Sequence, residues 1–324
     1  MLRGIAALLV CIFHFSNGNK GFLSDDSLFR IAGSVGWSGV EMFFIISGFV
    51  IPYSLYNGNY KYKGYINFLI KRVIRIHPPF IISILLILAL NYLSTLSPYF
   101  RGSPFSLDIE NIFFHFFYLN DFLKEPWLNP VYWTLAIEFQ YYIVIGLLFP
   151  LVVHPNVYLS ISTLLLFALS RLMFTEPYTL FHFSPFFSLG ILIFLSETNE
   201  FTKKLSWVLH PLILAFIYHQ FGDVAFYVSL FTVLLLQFGK NWENKTILFL
   251  GTISYSLYLI HVPIGGRIIN LSKNFVDGDG LRTLIVLLAL VVTIFCSYLF
   301  YRIVEHPFIK LTSFFSKKIK TQNG

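Results

Sequence analysis

Ten stretches of predominantly apolar residues follow one another along the chain, with mostly short polar segments between them. They fall at about 3–19, 35–56, 79–95, 131–153, 157–174, 180–195, 207–219, 224–238, 247–269 and 281–301. A helix that crosses a bilayer needs roughly 17–25 such residues. Inside lipid every backbone N–H and C=O must be bonded within the protein, so a repeated pattern of this length admits one common solution, a bundle of helices. The sequence therefore predicts an all-α, polytopic integral membrane protein of about ten transmembrane helices. Composition agrees, with 56% apolar and only 12% charged residues, the latter about half the usual share. A soluble chain of this size could not keep so much apolar surface from water. Cys11 and Cys296 both lie inside apolar runs and read as small core hydrophobes rather than a disulfide. The net charge of +7 reads as basic loops at the cytoplasmic face, not as a nucleic-acid surface.

An even number of spans puts both termini on one side. With that side inward, most Lys and Arg residues fall at the inner ends, while Asp25, Asp108, Glu125, Asp223 and Asp277 fall outside. The expected topology is N-in, C-in. The first segment reads as a retained span rather than a cleaved leader, because no small-x-small site precedes 16–19 and His14 interrupts the apolar run. The longest inner loop, 57–78, carries Lys61, Lys63, Lys71, Arg72 and Arg75. The longest outer loop, 96–130, contains a semi-apolar stretch, 109–123, suited to lying along the membrane surface. The chain reads as a single membrane domain, 1–305, followed by a basic cytoplasmic tail, 306–324, that suits an anionic leaflet.

With charge so scarce, ionisable groups inside the spans stand out, since each costs at least a few kcal/mol at bilayer depth. Arg3 and His14 share one face of the first span, about 16 Å apart along its axis. Arg3 falls at the inner mouth and His14 near the middle. Glu41 and Glu138 each enter from the outer end of their span by about 9–10 Å, and His261 reaches a similar level. Two readings fit this cluster: a structural network that locks the bundle, or a buried reactive site. Arg72 and Arg75, at i and i+3, share a helix face and suit bidentate contact with phosphate. Binding lipid headgroups would use the same pair. The His77-Pro78-Pro79 sequence is expected to end that helix before the third span.

Six motifs in order match a known family. Leu2-Arg3-Gly4 through His14 looks like its opening Arg-x10-His helix, and Gly39-Val40-Glu41 through Ser47-Gly48-Phe49 resembles its second-span motif. Arg72-x-x-Arg75 matches the basic pair, and Trp133-Thr134-Leu135-x-x-Glu138 is similar to its Trp-Ser-Leu-x-x-Glu element. Ser254-Tyr255-Ser256-Leu257-Tyr258-Leu259-Ile260-His261 and Glu305-His306-Pro307-Phe308 agree with two late signatures. Over nearly its whole length the chain resembles the acyltransferase-3 family of integral membrane acyltransferases, which includes O-acetyltransferases of bacterial surface polysaccharide and peptidoglycan. Two departures are visible: relatives usually carry several residues before the Leu-Arg-Gly start, and the position of Glu41 is often Asp. An appended extracellular hydrolase-like domain, which some relatives carry, is not expected.

The resemblance implies transfer of an acyl group, commonly acetyl from cytoplasmic acetyl-CoA, to a hydroxyl of a glycan at or beyond the outer face. On that basis His14 is the candidate general base, with Glu41 or Glu138 orienting the imidazole or holding the sugar. Arg3, Arg72 and Arg75 are the candidate grips for the phosphates of the donor. Trp133, His261 and Ser47 are candidate acceptor-binding residues, and an acyl-enzyme on His14 or Ser47 is the alternative to direct transfer. No metal is expected. The expected partners are membrane lipid, acyl-CoA and a glycan, without nucleic acid, in the cell (cytoplasmic) membrane. A transporter or flippase for a polysaccharide precursor is the rival reading, since midplane charges also suit carriers, but no internal repeat is evident. A non-catalytic organiser of polysaccharide assembly is a third.

Overall fold

A computed structural model of the chain describes residues 1–98, 100, 102, 104–239 and 244–312. Among these every one of the ten apolar stretches is helical, and apart from one isolated bridge between Lys20 and Leu23 there is no β-structure. The helices are α1 (Leu2–Asn17), α2 (Leu28–Gly33), α3 (Gly39–Asn57), α4 (Tyr65–Thr95), α5 (Ile109–Phe116), α6 (Asn120–Leu123), α7 (Trp133–Val152) and α8 (Val157–Leu169). They continue with α9 (Ser184–Thr198), α10 (Glu200–Phe221), α11 (Asp223–Phe238), α12 (Lys245–His261), α13 (Arg267–Ser272) and α14 (Asp279–Phe300). Five helical runs are long and apolar enough to cross a membrane: Leu28–Asn57, Tyr62–Thr95, Trp133–Val152, Lys245–Ser272 and Asp279–Thr312. Four more apolar helices, α1, α8 (with its 3-10 extension), α9 and α11, are of 10–17 residues. At 1.5 Å per residue these fall short of a ~30 Å hydrocarbon core, so the fold class matches expectation while the count of ten spans is not fixed by helix length. Of the expected basic tail, residues 313–324 lie outside the described residues.

The chain packs as two compact units. Unit 1 comprises Met1–Val10, Trp37–Leu69 and Ile137–Thr252. Its centre is α9, in which Phe186, Phe187, Leu189, Leu192, Ile193 and Phe194 are all fully buried. Short as it is, α9 is enclosed by protein, with α3, α8, α10 and α11 packed against it. The crossing with α3 is a backbone contact: a Cβ on Gly190 would collide with the Ile45 carbonyl, and one on Gly48 with the Phe187 carbonyl. Small residues at such crossings are what lets helices approach in a membrane. Rings then fill the flanks, with Tyr141 stacked on Phe187 at 4.2 Å and Phe44 at 4.8 Å. Pro150 lies inside α7 and has no N–H for the carbonyl of Gly146 four residues earlier. The hydroxyl of Tyr60 donates to that carbonyl at 2.7 Å.

Unit 2 comprises Cys11–Gly36, Ile70–Ala136 and the described chain from Ile253. Contrary to expectation, α4 does not stop at Pro78-Pro79 but runs through them to Thr95. Buried prolines are tolerated in membrane helices where neighbours supply the missing donors. The two prolines remove the helical donor from Ile74 O and Arg75 O; close by, the Tyr255 hydroxyl donates to Ile76 O at 2.8 Å, and His77 Nε2 contacts Phe116 O at 2.6 Å. Pro263 repeats the logic of Pro150 at the end of α12. It leaves the carbonyl of Leu259 without its helical donor, and Asn129 Nδ2 donates there at 3.0 Å. The backbone then widens into a π-helical turn, Val262–Gly266, and a second, Tyr301–Glu305, follows α14.

The stretch 109–123 forms α5 and α6 with inverted polarity. Asn111, His115 and Asn120 point inward, while Ile109, Phe113, Phe117 and Phe122 are exposed. That arrangement suits an element with protein on one side and the lipid interface on the other, as the sequence suggested.

Candidate active site

Unit 2 brings two of the expected site residues together. His14 sits in the last turn of α1 and His261 is the last residue of α12. Their ring centroids are 5.2 Å apart, and Phe15 and Tyr258 pack around the fully buried His261 ring. Hydrogen bonding fixes the tautomer of His261. Its Nδ1 lies 2.9 Å from Tyr258 O and 3.1 Å from Leu257 O, and carbonyls only accept, so Nδ1 carries the proton. Nε2 is then a lone-pair acceptor, and it is buried with no hydrogen-bond partner. An unpartnered acceptor nitrogen next to a second imidazole can hold a donor group brought between them.

The same unit ties the late motifs to one another. Thr134 Oγ1 and the Tyr258 hydroxyl are 2.7 Å apart, joining the residue after Trp133 to the helix of His261. Glu305, buried within the second π-helical turn, accepts from Ser256 Oγ at 2.6 Å and from the Ser256 backbone N–H at 3.2 Å. The sequence alone assigned Glu305 no role at the site. Its signal was its place in the Glu-His-Pro-Phe motif. Arg72 and Arg75 both lie on α4, Arg72 partly buried and Arg75 exposed, at the spacing that shares a helix face.

Unit 1 gathers a different set. Glu138 Oε1 accepts from the Tyr142 hydroxyl at 2.5 Å and from Ser47 Oγ at 3.4 Å, with Arg3 Nη2 at 4.0 Å. The Arg3 guanidinium also lies over the Phe43 ring at 5.7 Å. Counting residues along the spans puts Arg3 at the inner mouth and Glu138 in the outer third, yet the two meet. The separation of about 20 Å implied by those counts is more than the two side chains can span, so residue counts from the ends of apolar runs did not give depth correctly here. Glu41 is 4% exposed, and its Oε2 is buried without a partner. A lone buried carboxylate oxygen is costly unless something completes it, which marks Glu41 as poised for a ligand group or a proton.

A further polar knot in unit 2 was not foreseen. His115 Nε2 accepts from the backbone N–H of Leu128 at 2.9 Å, so Nδ1 carries the proton and donates to Asn111 O at 2.8 Å. Asn120 Nδ2 donates to Asn111 Oδ1 at 3.2 Å, and Trp127 Nε1 donates to Asp121 Oδ1 at 2.9 Å. Burial holds the His115 pKa below the ordinary imidazole value. Burial raises that of Asp121, against the opposing pull of the Trp127 bond. Asn111 and His115, at i and i+4 within an aromatic-rich stretch, were the available signal. The knot braces the segment that delivers Asn129 to Leu259 O, two residues from His261.

With this geometry in view, comparison with known proteins decides the class. A family model described as an acyltransferase domain matches residues 1–302. The chain belongs to the acyltransferase-3 family. It is 27% identical over 285 residues to a protein of Acidianus two-tailed virus provisionally named an acetyltransferase, covering 81% of each chain. It is 24% identical to proteins of Staphylococcus aureus strains COL and MW2 provisionally named O-acetyltransferases, covering 95% of this chain and 56% of theirs. The chain thus spans about half the length of these staphylococcal relatives. No solved structure matches it.

Membership makes acyl transfer the reaction class. Of the motif residues, the structure brings His14 to His261 within unit 2, and Arg3 and Ser47 to Glu138 within unit 1. Among the described residues no three His, Cys, Asp or Glu side chains come together as a metal site.

Proposed function

We propose that the chain is an O-acyltransferase of the cell membrane, moving an acetyl group from acetyl-CoA at the cytoplasmic face to a hydroxyl of a cell-surface glycan or its lipid-linked precursor. The observation that carries this reading is the His14–His261 pair, 5.2 Å apart, with His261 Nε2 held as a bare acceptor. The acceptor hydroxyl lies between the two imidazoles and gives its proton to His14 as its oxygen attacks the thioester carbon. The C–S bond breaks, and the proton passes from the imidazole to the departing CoA thiolate. His261 Nε2 accepts from a neighbouring donor of the sugar and keeps it in register, and Trp133 and Ser47 contribute to holding the acceptor. One of Glu41, with its unpartnered oxygen, and Glu138, bonded to Tyr142 and Ser47, orients the imidazole or holds the sugar. Arg72 and Arg75, with Arg3, hold the donor phosphates.

In this reading ten helices cross the membrane with both termini inside, residues 1–305 form the catalytic domain and 306–324 a basic cytoplasmic tail. The test is direct. Purified protein in lipid nanodiscs, given acetyl-CoA and an acceptor glycan, releases free CoA and yields an acetylated glycan by mass spectrometry; His14→Ala abolishes both. CoA release that persists in His14→Ala, or an acylated protein residue trapped with donor alone, overturns direct transfer with His14 as base.

A further inference from the structure

The loop that follows the His14 helix is held away from collapse. Asn19 Nδ2 donates to Asn270 Oδ1 at 2.5 Å, and Ser24 bonds the Asp279 carboxylate through its backbone N–H, at 3.1 Å, and its hydroxyl. Arg282 adds a bond from Nε to Val276 O at 3.1 Å and lies over the Phe22 ring at 5.7 Å. This stapled loop encloses one side of an open cavity of about 380 Å³ lined by Lys20, Ser24, Asp25, Arg30 and Arg282, among others. The volume is that of a small-molecule site, and every residue belongs to unit 2, as does His14.

Three cations, Lys20, Arg30 and Arg282, line the cavity with one carboxylate, Asp25, while Asp277 pairs with Arg282 and Asp279 is held by Ser24 at its edge. Arg30 pairs with Asp25 at 2.5 Å and Arg282 with Asp277 at 3.6 Å, but those carboxylates are 88% and 102% exposed while their arginines are 23% and 22% exposed. A pair whose acid stands in water is weak, so an incoming anion displaces it at small cost. The guanidiniums are meanwhile fixed by carbonyls, Arg30 Nη1 on Leu23 O at 2.9 Å and Arg282 Nε on Val276 O. The Ser24 and Asp25 oxygens stand beside them as acceptors for a sugar hydroxyl. Fixed cations with spare donors next to hydrogen-bonding oxygens suit a sugar unit that carries an acidic group.

We propose that this cavity is an acceptor subsite that binds an acidic sugar unit, one bearing a carboxylate or a phosphodiester, next to the His14 end of α1. This rests on the acyl-transfer reading and adds to it the class of acceptor. An anionic lipid headgroup offers the same chemistry, and the experiment separates the two.

Full-length protein in nanodiscs of purely zwitterionic lipid is titrated with three probes: tri-galacturonate, a glycerol-phosphate trimer and neutral tri-galactose. At least one acidic probe binds tenfold or more tightly than tri-galactose, and Lys20→Gln and Arg282→Gln each remove that preference while leaving acetyl-CoA binding unchanged. Equal binding of all three probes, or retained preference in both variants, overturns the subsite. A preference that vanishes when phosphatidylglycerol is added assigns the cavity to lipid and also overturns it. Because binding is read without turnover, an acid preference in protein that transfers no acetyl group to any acceptor leaves the subsite standing and removes the catalytic reading instead.

Discussion

At the scale of single residues, the imidazoles differ in what fixes them. His261 is locked as the Nδ1–H tautomer by two carbonyls, so substitution by Gln, which cannot present a ring nitrogen at that point, should lower kcat of acetyl transfer. His14→Ala should lower it further, by about 10²–10⁴-fold if it is the general base, with the donor KM nearly unchanged. Steady-state assays at saturating donor read both. His115 predicts a pH effect of another kind. Its folded pKa lies below the unfolded value of about 6.5 because burial disfavours the charged ring. Nothing is lost above that pH; as pH falls through it the unfolded chain takes up a proton the folded one resists, and stability declines. The melting temperature should therefore fall between about pH 7.5 and about pH 5.5, and the part due to His115 should be absent in His115→Leu. The sequence made His14, His261, Glu41 and Glu138 conspicuous because charge inside an apolar run needs an explanation. It could not reveal that Glu138 meets Arg3, that Glu305 grips Ser256, or that His115 closes a knot, since each depends on partners distant in the chain.

At the scale of helices, the apolar periods gave existence and type reliably, because a helix is the local answer to lipid and needs no distant partner. They misjudged α4, which runs unbroken through Pro78 and Pro79 to Thr95. Pro150 with Tyr60, and Pro263 with Asn129, show how compensation is built: the proline removes an N–H and a side chain replaces it. The two members of such a pair are not equivalent. Asn129→Leu leaves the Leu259 carbonyl buried and unbonded, which should cost about 1–3 kcal/mol and shift Tm downward. The same change combined with Pro263→Ala, which restores an N–H, should recover part of the loss. No recovery in the double variant would show that the carbonyl is not the cause. The α3–α9 crossing predicts a sharper failure. Gly190→Leu must drive a side chain into the backbone of α3, an overpacking of about 1–3 kcal/mol or more, visible as loss of a monodisperse peak in detergent chromatography, whereas Leu at the exposed position Val208 should leave the peak intact.

At the scale of the whole chain, topology and donor binding can be probed together. With both termini inside, cysteines introduced at Asp26 and Lys124 should react with an impermeant maleimide in intact cells, and those at Asn59 and Lys204 only after permeabilisation; the reverse pattern would invert the molecule. Arg72→Ala should raise the KM for acetyl-CoA several-fold with acceptor use unchanged. The one-sided distribution of Lys and Arg is the ground for this proposed orientation, whereas the number of crossings was not legible, because α1, α8, α9 and α11 are short enough that neighbours decide what they do. The crossing of Gly48 and Gly190 also sets a timetable. The two glycines are separated by about 140 residues, on the order of ten seconds of synthesis at 5–20 residues per second. Throughout that interval α3 is already made, with the seat for α9 empty and the Glu41 carboxylate on its flank. Unit 1 is complete only when a helix from the second part of the message arrives to fill that seat.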